Sequence, residues 1–150
     1  MLNLNPADFK PLVWKKEYES GHPLMDEQHR RLFAEVNELL AALRENRPKA
    51  EIGALIEKLF ADTREHFGTE EALLSEAGYD ETPVHALIHK QLLQKGARLV
   101  ARFEENRLDF SEIFLYLAKD IVMDHILKID IKYFGQLDWA TVPATWQTRH

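Results

Sequence analysis

Cysteine is absent from this 150-residue chain, which excludes disulfide bonds, thiolate metal sites and iron–sulfur clusters. The chain also lacks any run of about 18 apolar residues, so we expect no transmembrane helix. The first residues, MLNLNPADFK, show no basic stretch followed by an apolar one, and we therefore expect no secretory signal. These absences fit a cytoplasmic protein.

Positive charge is also scarce, with 19 Lys and Arg against 25 Asp and Glu and a net charge of −6. This balance argues against nucleic acid, whose binding depends on clustered Lys and Arg. Hydrophobic residues at 45% and charged residues at 29% are typical of a globular protein, and the length suits one domain. We expect a bundle over about 25–135, an N-terminal arm at 1–24, and a tail at 136–150. The tail, with Trp139 and Trp146, either packs over the bundle, which we favour, or is part of a linker.

Apolar residues recur at intervals of three and four along four segments, the pattern of amphipathic helices. They predict helices over about 25–46, over 48–77 with Gly78 as the stop, from a cap at Thr82 to just before Asn106, and from a cap at Asp109 to Gly135. Gly96 lies within the third stripe, where close packing would explain it. Short connections between long helices predict an all-α, antiparallel up-down-up-down four-helix bundle.

Histidines and carboxylates lie on the inward stripes of all four predicted helices. Neutral imidazoles and carboxylates are ligands of transition metals, and seven are too many for one tetrahedral ion. Two ions that share bridging carboxylates fit the number better. The seven candidate ligands are His29, His66, Glu70, His85, His89, His125 and Asp130.

The spacing of these residues supports a shared site. Positions i and i+4 lie on one face of a helix, so His85 and His89 can hold one ion, and Glu70 can reach from His66 to a second. A single histidine of this kind is more often a packed or surface residue. Without a metal, however, this core would bury carboxylates with few partners, which is severely unfavourable.

His125 and Asp130 are five residues apart and would point in different directions on a regular helix. We therefore predict a π-bulge between them that turns Asp130 inward. The ferritin-type di-iron pattern needs Glu-x-x-His on two helices, and the only example here is Glu19 to His22, in a predicted loop where His22 is expected to be exposed. The donor types alone would also suit manganese or zinc.

The chain resembles the hemerythrins, specifically the bacterial ones, over about 13–135. The matching motifs are Trp14 and Tyr18 ahead of Gly21, Asp26-Glu27-Gln28-His29, His66-Phe67-x-x-Glu70-Glu71, His85-x3-His89, and His125-Ile126 with Asp130. The resemblance implies a bundle with a non-haem di-iron centre that carries an oxo or hydroxo bridge. It implies that one iron is held by His85, His89 and His125 and is coordinatively full. The other iron would be held by His29 and His66 with one position open for dioxygen, and Glu70 and Asp130 would bridge the two.

Apolar residues beside the ligands are candidates to line the open position, although each could equally be an ordinary core residue. They are Leu32, Phe67, Ile121, Val122 and Ile126. Members of the family often carry tryptophan at the position of Ile121, so a wider pocket is expected here.

The resemblance implies reversible dioxygen binding for storage, delivery or scavenging. An oxygen or redox sensor is one alternative, although no output domain is evident. A di-iron peroxidase or a nitric-oxide-handling enzyme is the other. No further inward acid or base is expected near the open position, since Glu71 lies off the inward stripe. We therefore expect no enzyme, and we expect dioxygen as the partner, with neither nucleic acid nor membrane bound.

Overall fold

The computed structural model describes residues 9–105 and 110–133, and every regular element in these ranges is helical. The long elements are α1 (Pro23–Arg44), α2 (Lys49–Glu76), α3 (Thr82–Glu104) and a fourth helix, which begins as α4 (Phe110–Leu115) and continues as a π-helical segment (Tyr116–Ile126). Short 3-10 turns occupy Lys16–Tyr18 and Asp130–Tyr133. The predicted all-α class and the four helices are confirmed, but the fourth helix ends at Ile126 and does not run on to Gly135 as predicted.

The helices pack in a ring, each on its two neighbours in the chain, and α1 closes the ring against the fourth helix. Short connections at 45–48 and 77–81 reverse the chain direction, which gives the antiparallel order expected of such a bundle. The enclosed core is aromatic and aliphatic, with Phe33, Leu40, Ile56 and Phe114 all buried. Within the described residues, no helix combines the length and the apolar character that crossing a membrane requires.

Glycine ends α2 as its sequence position predicts. Gly78 adopts φ 74°, a left-handed conformation that a side chain would strain. Its N–H donates to the Ser75 carbonyl at 3.1 Å, and the Tyr79 N–H donates to the Leu74 carbonyl at 3.0 Å. This Schellman arrangement satisfies two carbonyls that the end of the helix leaves without a partner.

The fourth helix does contain a π-helical irregularity, but it spans Tyr116–Ile126 and not the predicted interval between His125 and Asp130. Hydrogen bonds of the wider π type run through Tyr116–Ile126, and the Leu127 N–H still donates to the Val122 carbonyl at 3.0 Å. The chain then leaves the helix, and Asp130 opens the last 3-10 turn with none of its surface exposed. The prediction that Asp130 points inward is confirmed, whereas the predicted position of the bulge is wrong. The chain turns Asp130 inward by ending the helix early.

The close packing predicted at Gly96 is confirmed. A Cβ added there would lie 2.3 Å from Phe60 Cε2 and 2.6 Å from the Tyr116 hydroxyl oxygen. That hydroxyl donates a hydrogen bond to the Leu92 carbonyl of α3 at 2.5 Å. The missing side chain of Gly96 therefore lets the fourth helix approach the backbone of α3.

The N-terminal arm, described from Phe9, packs along α1. The Leu12 N–H donates to Asn37 Oδ1 at 2.7 Å, and Asn37 Nδ2 donates to the Leu12 carbonyl at 2.8 Å. The Trp14 ring lies edge-on to Phe33, with ring centroids 5.1 Å apart. The arm is thus held by both polar and aromatic contacts.

Two local predictions are wrong. His22 is half-buried, because its Nδ1 accepts the Leu24 N–H at 3.2 Å and caps α1. Thr82 is the first residue of α3 while Glu81 takes the cap position, and the Thr82 hydroxyl donates back to the Tyr79 carbonyl at 2.6 Å. The predicted cap at Asp109, the stop at Gly135 and the tail at 136–150 lie outside the described residues.

Candidate metal centre

The seven predicted ligands converge in the interior of the bundle, and none of them is more than 4% exposed. They come from every long element, so the packing of the whole bundle sets their distances. α1 supplies His29, α2 supplies His66 and Glu70, α3 supplies His85 and His89, the π-helical segment supplies His125, and the last 3-10 turn supplies Asp130.

Their donor atoms fall into two groups, within each of which all atoms lie within 4.8 Å of one another. The three-histidine group contains His85, His89 and His125, and the two-histidine group contains His29 and His66. Glu70 and Asp130 belong to both groups. The structure therefore brings all seven residues together, but as two sites that share two carboxylates.

Glu70 turns a different oxygen toward each group. Its Oε1 lies 2.5 Å from His85 Nε2 and 3.0 Å from His89 Nε2. Its Oε2 lies 3.3 Å from His66 Nε2 and 3.6 Å from His29 Nε2. A carboxylate in this position can bind one ion with each oxygen.

Asp130 repeats this division on the other side of the centre. Its Oδ1 lies 2.9 Å from His85 Nε2 and 3.0 Å from His125 Nε2, and its Oδ2 lies 3.5 Å from His29 Nε2. With the shared oxygens included, the three-histidine group offers five protein donors and the two-histidine group offers four. The two sites are therefore unequal.

Hydrogen bonds outside the centre fix the orientation of two imidazoles. His66 Nδ1 lies 2.8 Å from Gln28 Oε1, and His89 Nδ1 lies 3.0 Å from Glu71 Oε2. Both partners are acceptors, so we assign the proton of each ring to Nδ1. Each Nε2 then carries its lone pair toward the centre, as a metal ligand must.

The donors fit a pair of metal ions. The Nε2 atoms of His89 and His125 are 2.8 Å apart, close to the roughly 3.0 Å that separates neighbouring ligands placed about 2.1 Å from one octahedral ion. Neither carboxylate oxygen of Asp130 makes a hydrogen bond of good geometry, although imidazoles lie within 3.0 Å of Oδ1. His66 Nε2 is likewise buried without a hydrogen bond. Such groups are costly to bury unless a cation satisfies them.

In the metal-free chain the two carboxylates keep their negative charge. Burial alone would raise the pKa of Glu70 and of Asp130, but contacts with imidazoles, including His125 and His29, hold both pKa values well below the usual range. Burial would conversely lower the pKa of His29 and His85, but Asp130 and Glu70 raise it to about 9 and about 10. The carboxylates are therefore in the ionised form that binds cations.

Three residues that were not expected from the sequence contact the ligands. Gln28 and Glu71 hold His66 and His89, and the Tyr133 hydroxyl donates to Glu70 Oε2 at 2.8 Å. Gln28 and Glu71 are each next to a ligand in the sequence, and that adjacency is the signal that could have found them. A residue next to a ligand in the sequence lies at the edge of the inward face of its helix, beside the neighbouring helix.

The five candidate pocket residues are all buried, each 1% exposed or less. Phe67 stacks face to face on His89, with ring centroids 3.8 Å apart and planes 1° from parallel. It also lies edge-on to His125 at 5.3 Å. Phe67 thus contacts the three-histidine group, and Leu32, Ile121, Val122 and Ile126 belong to the same apolar core cluster.

The fold and the centre define a class of protein, in which a four-helix bundle holds two metal ions that share carboxylates. The family model described as "Hemerythrin HHE cation binding domain" matches residues 20–137. The chain therefore belongs to the hemerythrin family, and hemerythrins hold a di-iron centre.

Similar proteins include bacterial and animal relatives. Bacteriohemerythrin from Stenotrophomonas maltophilia is 29% identical over 126 residues, which are 84% of this chain and 81% of that protein. Bacteriohemerythrin from Pseudomonas paraeruginosa is 30% identical over 122 residues, 81% of this chain and 78% of that protein. Myohemerythrin-1 from Phascolopsis gouldii is 30% identical over 128 residues, 85% of this chain and 96% of that protein. The predicted family is confirmed.

Proposed function

We propose that this chain binds dioxygen reversibly at a di-iron centre and serves in the storage, delivery or scavenging of oxygen. The main support for this proposal is the unequal number of protein donor groups, which is five at one site and four at the other. With an oxo or hydroxo bridge as a further ligand of each ion, an iron ion that takes six ligands would be full in the first site and would keep one position open in the second. In this proposal His85, His89 and His125 would hold one ion, His29 and His66 would hold the other, and both ions would share Glu70 and Asp130.

A pair of ferrous ions supplies the two electrons and the open coordination position that reversible dioxygen binding requires. The chain supplies the surroundings. Leu32, Phe67, Ile121, Val122 and Ile126 are proposed to keep water from the centre, since all are buried and apolar. Because charged oxygen species need water and protons to escape, a dry site favours the release of neutral dioxygen.

Tyr133 has a positioning role in the proposal. Its hydroxyl donates to Glu70 Oε2, the oxygen that faces the two-histidine group. This hydrogen bond restricts rotation of the shared carboxylate and keeps one oxygen directed to each ion. Tyr133 is thus a residue outside the proposed ligands that makes a polar contact to Glu70.

Spectroscopy under controlled oxygen tests the proposal. The iron-loaded wild type should contain two ions per chain. It should develop a ligand-to-metal absorption band when oxygen is added to the anaerobic, reduced form, and it should lose the band under vacuum, over several cycles. The variant His66→Leu removes one donor from the two-histidine group and should retain the other ion but show no band. Continuous consumption of oxygen or peroxide by the wild type would contradict the proposal and indicate an enzyme.

The proposal treats the whole chain as one oxygen-binding domain located in the cytoplasm. The absence of cysteine from the sequence is compatible with this location. Fractionation of the native host, followed by detection of the chain with an antibody, tests it. Recovery from an exported fraction would contradict it.

A further inference from the structure

Two side chains outside the ligand set distinguish the two metal sites. Glu71 accepts the Nδ1 proton of His89, a ligand of the three-histidine group, at 3.0 Å. Gln28 accepts the Nδ1 proton of His66, a ligand of the two-histidine group, at 2.8 Å. One imidazole is thus backed by a carboxylate and the other by a neutral amide.

Both contacts are built into the fold. Gln28 is buried, and its Nε2 lies 3.3 Å from the Thr69 hydroxyl, which directs its Oε1 toward His66. Glu71 extends from α2 to α3, and His89 is held between this carboxylate and the stacked ring of Phe67.

The charge of Glu71 and the neutrality of Gln28 should affect the bound metal ions differently. A carboxylate that accepts the Nδ1–H of an imidazole increases the electron density that Nε2 gives to a metal, and a neutral amide does so less. Electron-rich ligands favour the higher oxidation state of iron. The charged partner belongs to the three-histidine site, so it favours ferric iron at that position.

Glu71 is not fully desolvated. Its side chain is 33% exposed and lines a groove of about 460 Å³ between α2 and α3, together with His89 and the cations of Arg64 and Lys90. Hydration weakens the effect of a charge. We therefore expect the lower end of the tenfold to hundredfold range that partners of metal ligands typically contribute to affinity.

We propose that Glu71 and Gln28 are positioning residues that make the two iron sites electronically unequal, with Glu71 stabilising the ferric state of the three-histidine site. The inference rests on the proposed function only in that His89 and His66 bind different ions. It goes further by assigning the redox difference between the ions to two residues that touch neither of them.

The first test uses Zn²⁺ alone, added to the metal-free protein in competition with a chelator. Glu71→Gln should weaken binding at one of the two sites about tenfold, and Gln28→Glu should strengthen binding at the other by a similar factor. The control Glu65→Gln removes the same charge from an exposed position on α2 and should change affinity less than about twofold. Equal affinities for Glu71→Gln and Glu65→Gln would overturn the proposal.

The second test is the reduction potential of the iron-loaded protein. A tenfold loss in preference for ferric iron corresponds to about 59 mV, so Glu71→Gln should raise the potential by about that amount and Gln28→Glu should lower it. The double variant exchanges the two side chains and keeps the net charge of −6, so it tests the positions of the partners at constant total charge. Compared with the wild type, the double variant should bind Zn²⁺ more weakly at the three-histidine site and more tightly at the two-histidine site.

The outcomes separate this inference from the proposed function. Two Zn²⁺ sites that respond as expected support the inference even if the iron form fails to bind oxygen reversibly. Potentials that move in the same direction in both single variants would overturn it, whether or not oxygen binds. Thermal unfolding of each metal-free variant, expected to match the wild type within a few degrees, excludes misfolding as the cause of a lost site.

Discussion

Replacing Gly96 with alanine should destabilise this protein, although alanine normally stabilises a helix. The intrinsic preference for alanine over glycine is about 1 kcal/mol in a helix interior. Against this gain, the new Cβ would lie 2.3 Å from Phe60 Cε2 and 2.6 Å from the Tyr116 hydroxyl oxygen. Real Cβ atoms do not approach other atoms so closely, so both rings must move.

The cost of that movement can be worked from the two neighbours. Phe60 is only partly buried and can shift toward solvent. Tyr116 is 4% exposed and donates to the Leu92 carbonyl, so its displacement forfeits a hydrogen bond worth about 1 kcal/mol. Overpacking of this kind typically costs about 1–3 kcal/mol. After the gain in helix propensity, we expect the free energy of unfolding to fall by about 2 kcal/mol.

Gly68 provides the matched control. It lies in α2, is exposed, and has no atom within 4 Å of an added Cβ. Gly68→Ala should therefore raise the free energy of unfolding by about 1 kcal/mol through helix propensity alone.

Urea denaturation of the metal-free proteins, followed by circular dichroism, measures both changes. The midpoints of the two variants should lie on opposite sides of the wild type. An unfolding free energy for Gly96→Ala that equals or exceeds that of the wild type would refute the packing argument.

Three further predictions concern the pocket, the centre and a partly buried carboxyl on α1. Ile121→Trp should slow autoxidation of the oxygenated protein, as followed in a spectroscopic time course. Because Ile121 is buried, the larger side chain should also lower the free energy of unfolding by about 1–3 kcal/mol. Equal autoxidation rates in the two proteins would remove the argument for a wider pocket. Tyr133→Phe should lower the unfolding free energy of the metal-free form by about 1–2 kcal/mol, because Glu70 Oε2 loses its donor; an unchanged denaturation midpoint would contradict this role. Burial and the neighbouring Asp62 raise the pKa of Glu35 from 4.5 to about 7, so its contribution to stability is full below pH 4.5 and is lost as the pH rises through about 7. The free energy of unfolding of Glu35→Gln, measured relative to the wild type, should therefore increase by about 1 kcal/mol between pH 5 and pH 8, a value that is discounted for partial hydration. Curves of unfolding free energy against pH that run parallel for the two proteins would refute this prediction.

The sequence determined the helices and the inward faces of the ligands, because both depend on residues within about one turn of each other. The spacing of four between His66 and Glu70 already places both on one face of α2. Gly78 already specifies the left-handed residue that ends that helix. The seven candidate ligands could therefore be chosen without coordinates.

Only the tertiary structure decided how those ligands are divided. Whether Glu70 offers one oxygen to each group depends on how α1 and α3 approach α2, and the spacing along one helix does not contain that distance. Glu71 lies off the inward stripe in sequence, yet it reaches His89 because α3 packs beside that edge of α2. The exit from the π-helical segment likewise placed Asp130 by a route that the five-residue spacing did not specify. Local geometry fixes which way a side chain leaves its own helix, whereas contacts between helices depend on packing across the whole bundle.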